Sequence, residues 1–178
     1  MKLIRLLAAC VVFAASPAFA TSYLVTASLD GAQETPPVGT LATGTMTGTY
    51  DDVLNDLFWS GTFTGLTGTS TDAHFHGPAA VGVGPAGVRE PITAASGDVF
   101  PIGVTFGAFS GSATTTISEA DEAELLAGLW YINIHSTFRP GGEIRGQLYL
   151  TAVPEPTTLA LLMLGLAAGV GASRRRPA

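Results

Sequence analysis

Between residues 129 and 150 the chain reads LWYINIHSTFRPGGEIRGQLYL, and its apolar and polar positions alternate on both sides of a turn. Trp130, Ile132 and Ile134 alternate with Tyr131, Asn133 and His135. That is the period of a strand with one buried face. Pro140, Gly141 and Gly142 mark the turn. The return run sets Ile144, Gly146, Leu148 and Leu150 against Glu143, Arg145, Gln147 and Tyr149. Pairing the two runs as a hairpin puts both apolar sets on one face. Asn133, His135, Glu143, Arg145 and Gln147 gather on the other, as a structural polar network. That second face is either a hydrogen-bonded, ligand-binding surface or the wetted side of an antiparallel sheet.

The same alternation predicts strands over 22–29, 41–50, 54–66, 72–76 and 104–117. Within 41–50, Thr43, Thr45, Thr47 and Thr49 share one side. Residues 77–91 read as a Gly/Pro loop and 92–101 as irregular. Ser118 is placed to cap a helix, with Asp121 three residues on and acids crowding the first turn. Leu125, Leu126 and Leu129 give that helix a small apolar face, and Gly128 ends it. Seven or so short strands with Gly/Pro punctuation predict an all-β fold: an antiparallel Greek-key β-sandwich, immunoglobulin-like or superoxide-dismutase-like, with one short helix. A small barrel is the other arrangement this spacing allows.

Both ends of the chain follow different rules. Residues 1–20 read as a secretory signal: Lys2 and Arg5, an apolar run over 6–15, then Ala18-Phe19-Ala20. Cys10, the one cysteine, leaves with it. Residues 153–178 carry Pro154, Glu155 and Pro156, an apolar helix over 157–172, and Arg174, Arg175 and Arg176. An apolar run closed by arginines reads as a membrane stop, although this one is short for a permanent span. These parts in this order resemble the PEP-CTERM sorting tail. The resemblance implies an exported protein of a Gram-negative bacterium that makes extracellular polysaccharide. It also implies transient inner-membrane anchoring through 157–172, and signal peptidase and exosortase as processing partners. Residues 21–152 remain, one domain's worth of chain.

That central stretch holds three arginines, no lysine and thirteen acids, a net charge of −10. Nucleic acid and anionic lipid both call for basic patches, so neither is expected as a partner. Without cysteine the domain has no disulfide, no thiol nucleophile and no cysteine metal site. No Gly-x-Ser-x-Gly elbow is present, and a phosphate-cradling loop lacks its lysine. Glu119, Asp121, Glu122 and Glu124 sit where acids favour a helix dipole. No catalytic residues are expected, and no enzyme.

The chemistry that remains is in three histidines. His74 and His76 flank Phe75, so in a strand both imidazoles point the same way. His135 lies on the polar side of its own strand. Three neutral imidazoles suit copper or zinc and leave an open coordination position. Asp72 or Glu143 is placed to add a ligand or to orient one. Otherwise the three histidines simply pin loops by hydrogen bonds, with no cofactor.

Three blocks carry a family resemblance: Gln33-Glu34-Thr35-Pro36-Pro37-Val38, Ala73-His74-Phe75-His76-Gly77-Pro78-Ala79, and Tyr131-Ile132-Asn133-Ile134-His135 with Pro140-Gly141-Gly142-Glu143-Ile144-Arg145-Gly146-Gln147-Leu148. Together they resemble the CHRD domain, the module first described in chordin. The resemblance implies an extracellular binding module and no specific activity. The order of Phe63-Thr64-Gly65-Leu66, His74-Phe75-His76 and Ile132-Asn133-Ile134-His135 is also similar to the copper ligands of copper/zinc superoxide dismutases. That family needs further histidines between these blocks and a cysteine pair, and residues 77–134 contain no histidine. A dismutase is therefore not expected, while a lone copper site stays open. The reading is an exported, non-catalytic extracellular or cell-envelope binding or structural module, with exopolysaccharide or envelope proteins as candidate partners. The alternative is a copper- or zinc-binding protein on His74, His76 and His135, with redox activity open.

Overall fold

A computed structural model describes residues 22–114, 117–153 and 165. The signal at 1–20, the Pro154-Glu155-Pro156 motif, most of the apolar run at 157–172 and the arginines at 174–176 lie outside the described residues. Among the described residues no helix is long and apolar enough to cross a membrane.

Among the described residues nine antiparallel strands form: β1 (Ser22–Asp30), β2 (Thr43–Asp51), β3 (Asp56–Thr64), β4 (Ser70–Gly77), β5 (Gly87–Pro91), β6 (Gly107–Thr114), β7 (Tyr131–Ser136), β8 (Ile144–Gln147) and β9 (Tyr149–Val153). Their order is β5-β4-β7-β8-β1-β2-β3-β6, with β9 also on β1. The all-β expectation holds, in the form of one strongly curved, nearly closed sheet with two facing halves. Sandwich and barrel meet in one feature. β8 pairs with β7, whereas β9 pairs with β1 from Ser22 to Thr26. Buried Leu148 lies between β8 and β9, so a single run changes neighbours at one residue. Strands that switch sheets through a bend make corners of this kind. At the other side, Leu66 N donates to Thr105 O and Ser70 N to Val104 O, drawing the start of β4 towards the segment that enters β6.

The alternating apolar residues fill the space between the halves. Val25, Ala27 and Leu29 of β1, Trp59 and Phe63 of β3, and Ile132 and Ile134 of β7 are all buried. Trp59 meets Phe75 edge-on at 4.9 Å between ring centroids, one from each half. Gly61 admits the neighbouring ring: a Cβ there would lie 2.4 Å from Phe109 Cζ.

Helix α1 (Glu119–Leu126) forms where the capping pattern placed it, with Ser118 accepting from Asp121 N. Gly128 takes a left-handed φ of 70° just beyond its end. The helix acids have a second duty. Arg89 of β5 donates through Nε and Nη2 to Glu124 at 2.9 and 3.0 Å, with Asp121 3.1 Å away. That strand corrects the expected loop over 77–91: its C-terminal part adds an edge to β4 through His74↔Pro91 and Phe75↔Glu90. Alternation was hidden there because an edge strand buries little, and these residues are exposed or half-buried.

Candidate metal centre

The register of β4 and β7 decides where the histidines meet. Asp72 faces His135, His74 faces Asn133, and His76 faces Tyr131. His135 is therefore diagonal to His74, within reach of an imidazole. One ring nitrogen from each of His74, His76 and His135 lies within 4.8 Å of the others. His74 Nδ1 and His135 Nε2 are 3.1 Å apart.

What the other nitrogens do fixes the tautomers of two of the rings. His135 Nδ1 lies 2.7 Å from Pro140 O, and His76 Nδ1 3.0 Å from Ala86 O. A carbonyl only accepts, so both Nδ1 atoms carry the proton. His74 has a partner on each side: its Nε2 lies 3.1 Å from Asp72 Oδ2, and its Nδ1 shares a hydrogen bond with His135 Nε2. His76 Nε2 is buried without a hydrogen-bond partner. Three ring nitrogens thus cluster in one place, each imidazole oriented by an acceptor behind it, as in metal-bound histidines. Burial holds His74 and His76 below the ordinary histidine pKa, and Asp72 partly opposes this at His74. Three nitrogens at about 2.0–2.1 Å from one ion stand roughly 3.3–3.6 Å apart. The His74–His135 pair, at 3.1 Å, stands just inside that spacing, and the widest separation, up to 4.8 Å, exceeds it.

The rest of the polar face is not wetted. Tyr131, Asn133, Arg145 and Gln147 are all buried, at 1–3% exposed. Two loops cover them, one around 31–38 and one around 79–86. Arg145 donates through Nη1 to Val83 O at 2.8 Å and reaches Thr35 Oγ1 at 3.4 Å. Its Nη2 bonds Gln147 Oε1 at 3.3 Å, and the guanidinium lies 3.5 Å from the centre of the Tyr131 ring. Gln147 Nε2 donates to Ala79 O at 2.9 Å and Gly128 O at 2.7 Å. Tyr131 stacks on His76 at 5.0 Å and accepts from Ala86 N at 3.1 Å. The same loop carbonyl, Ala86 O, orients His76. Arg145 and Gln147 thus hold the loop whose Ala86 O orients His76.

Asn133 is buried too, its Nδ2 donating to Gly141 O at 3.4 Å, and Glu143 stands apart from the set. Glu143 accepts from Thr40 Oγ1 and Thr67 N, each at 2.7 Å, and from buried Ser136 Oγ at 2.5 Å. Burial acts to raise its pKa, but these hydrogen bonds outweigh it and hold the carboxyl low. It ties β7 to loops at the sheet rim and touches neither Arg145 nor the histidines, which corrects the single network drawn from alternation. The residue beside Arg145 is instead Glu34, for which pattern reasoning named no role. Its Oε1 is buried and unpartnered, as is Asn133 Oδ1. Burial pushes its carboxyl up to about 7 against the pull of Arg145. Gly142, at φ 124°, makes room: a Cβ there would lie 2.4 Å from Glu34 Oε1. The sequence signal was Glu34's place in the Gln33–Val38 block, which only the family resemblance marked.

Residues 25–148 match the CHRD domain family. The chain is a member of the CHRD family. Residues 152–176 match the PEP-CTERM protein-sorting motif. The CHRD protein is thus exported, sorted by its C-terminal tail and associated with the envelope of a Gram-negative bacterium, with exosortase as the processing partner that the motif implies. No curated protein and no solved structure gives a significant match to it.

Proposed function

We propose that this exported CHRD domain acts by binding rather than catalysis, and that it binds one copper or zinc ion on His74, His76 and His135. The observation that carries this reading is the convergence of three imidazoles: one ring nitrogen from each lies within 4.8 Å of the others, with acceptors behind the rings holding them there. His74 Nδ1 and His135 Nε2 share a hydrogen bond at 3.1 Å, and a divalent ion that displaces its proton engages all three rings at once. An all-imidazole set with an open position suits copper and zinc, and copper binds such donors more tightly. Asp72, Ala86 O and Pro140 O orient the ligands, and Asn133 packs beside His76.

The test is metal content. The full chain in mild detergent, equilibrated with copper(II) or zinc(II) and freed of excess by gel filtration, is expected to retain one ion. His76→Ala and His135→Ala are expected to lose it with the fold intact by circular dichroism. No retained ion, or retention unchanged in both variants, overturns the proposal.

A further inference from the structure

We infer that the outer face of β1, β2, β3 and β6, on the half of the sheet away from the histidines, is a binding surface for an uncharged polysaccharide strand. The register sets hydroxyl side chains in rows across four strands. Ser28, Thr45 and Thr62 lie side by side, and the next row is Thr26, Thr47, Ser60 and Ser110. Within this face, charge appears only at the strand ends, at Asp30, Asp51 and Asp56. Yet the domain around it carries −10, and protein surfaces ordinarily mix charges throughout.

The face is also shallowly hollowed. Three depressions of about 580, 470 and 360 Å³ run end to end along β2 and β3. The first two share Thr45 and Thr62, and the last two share Thr47 and Ser60. From Thr43 to Thr49 the strand rise gives a track about 20 Å long, several sugar rings in length. Phe106, 69% exposed, stands at one end and Phe58, 49% exposed, at the other.

Each part of this lining matches a neutral sugar chain. A threonine offers a hydroxyl that donates and accepts beside a methyl group, the same mixture a pyranose ring presents. Exposed aromatic rings supply flat apolar surface for the C–H faces of sugars. Hydroxyls also give up their water at far lower cost than charges do, so an uncharged partner is favoured. The centre sets Val99, 60% exposed, and Ala108 among the hydroxyls, the same pairing of polar and apolar surface that a sugar ring presents.

Affinity electrophoresis tests this on the full chain in mild detergent, through gels containing hydroxyethylcellulose, galactomannan or dextran, with alginate as the anionic control. At least one neutral polymer is expected to retard the chain, equally at low and high salt. The exposed double substitution Thr45→Arg/Thr62→Arg, and separately Phe106→Ala, are expected to weaken retardation by about tenfold or more, with thermal melting unchanged. Histidine variants that lose metal are expected to keep it, so this result stands or falls apart from the metal reading. No retardation by any neutral polymer, retardation by alginate alone, or indifference to both variants overturns the inference. So does self-association that the double substitution abolishes, since the face then belongs to a second copy.

Discussion

Glu34 shows how one buried carboxyl sets a pH limit. Its folded-state pKa of about 7 lies above the usual 4.5, because an unpartnered oxygen away from water disfavours the charge. A raised folded pKa contributes stability below the unfolded value and loses it as pH rises through the folded one. For Glu34 that window runs from 4.5 to about 7. In the metal-free chain, Glu34→Gln is therefore expected to be more stable than wild type at pH 8, by up to about 3 kcal/mol. At pH 4 the difference should vanish. Urea melts at the two pH values check this, and parallel curves would contradict it. His74 and His76 act in the opposite direction. Their folded values are depressed below 6.5, so their contribution is complete above 6.5 and falls as the solution is acidified.

At the scale of the element, the β7–β8 hairpin was legible as a hairpin because alternation reports which face each side chain takes. Ile132, Ile134, Ile144 and Leu148 are buried together as that rule requires. The rule failed at one position. Gly142 turns the backbone at φ 124° just before Glu143, and the carboxylate swings to Ser136 and the rim. The rule was also silent on burial: a polar strand face looks the same in sequence whether water or a loop covers it. Arg145 decides the matter by gripping Val83 O and Thr35. Arg145→Ala is expected to destabilise the domain by about 3–5 kcal/mol, because loop carbonyls lose their donor inside the protein. Hydrogen exchange should then accelerate first in the loop around 79–86, and metal retention should weaken with it, since Ala86 O orients His76. Unchanged exchange in that loop would show that Arg145 does not hold it.

For the whole molecule, the curved sheet separates two surfaces. The three histidines lie on the outer face of β4 and β7, and the hydroxyl rows on the outer face of β2 and β3, with the core between. Export belongs to this scale as well. Replacing Pro154, Glu155 and Pro156 with alanines is expected to block tail removal, leaving the envelope form heavier by the mass of the tail. Intact-mass spectrometry of the envelope fraction checks this, and an unchanged mass profile would remove the motif from the processing step.

Local pattern alone determined most of the strands, the capped helix, the polar side of each histidine and the C-terminal sorting motif. Each of these depends on residues close together in the chain, where a period of two or a capping side chain acts directly. Only tertiary structure decided the pairings. It put Asp72 opposite His135 so that the imidazoles converge, and brought the loops at 31–38 and 79–86 over the hairpin. It also separated Glu143 from Arg145 and placed Glu34 beside it. Those outcomes rest on contacts between residues tens of positions apart, set by register and by where buried hydrogen bonds find partners, and no periodicity along the chain encodes them.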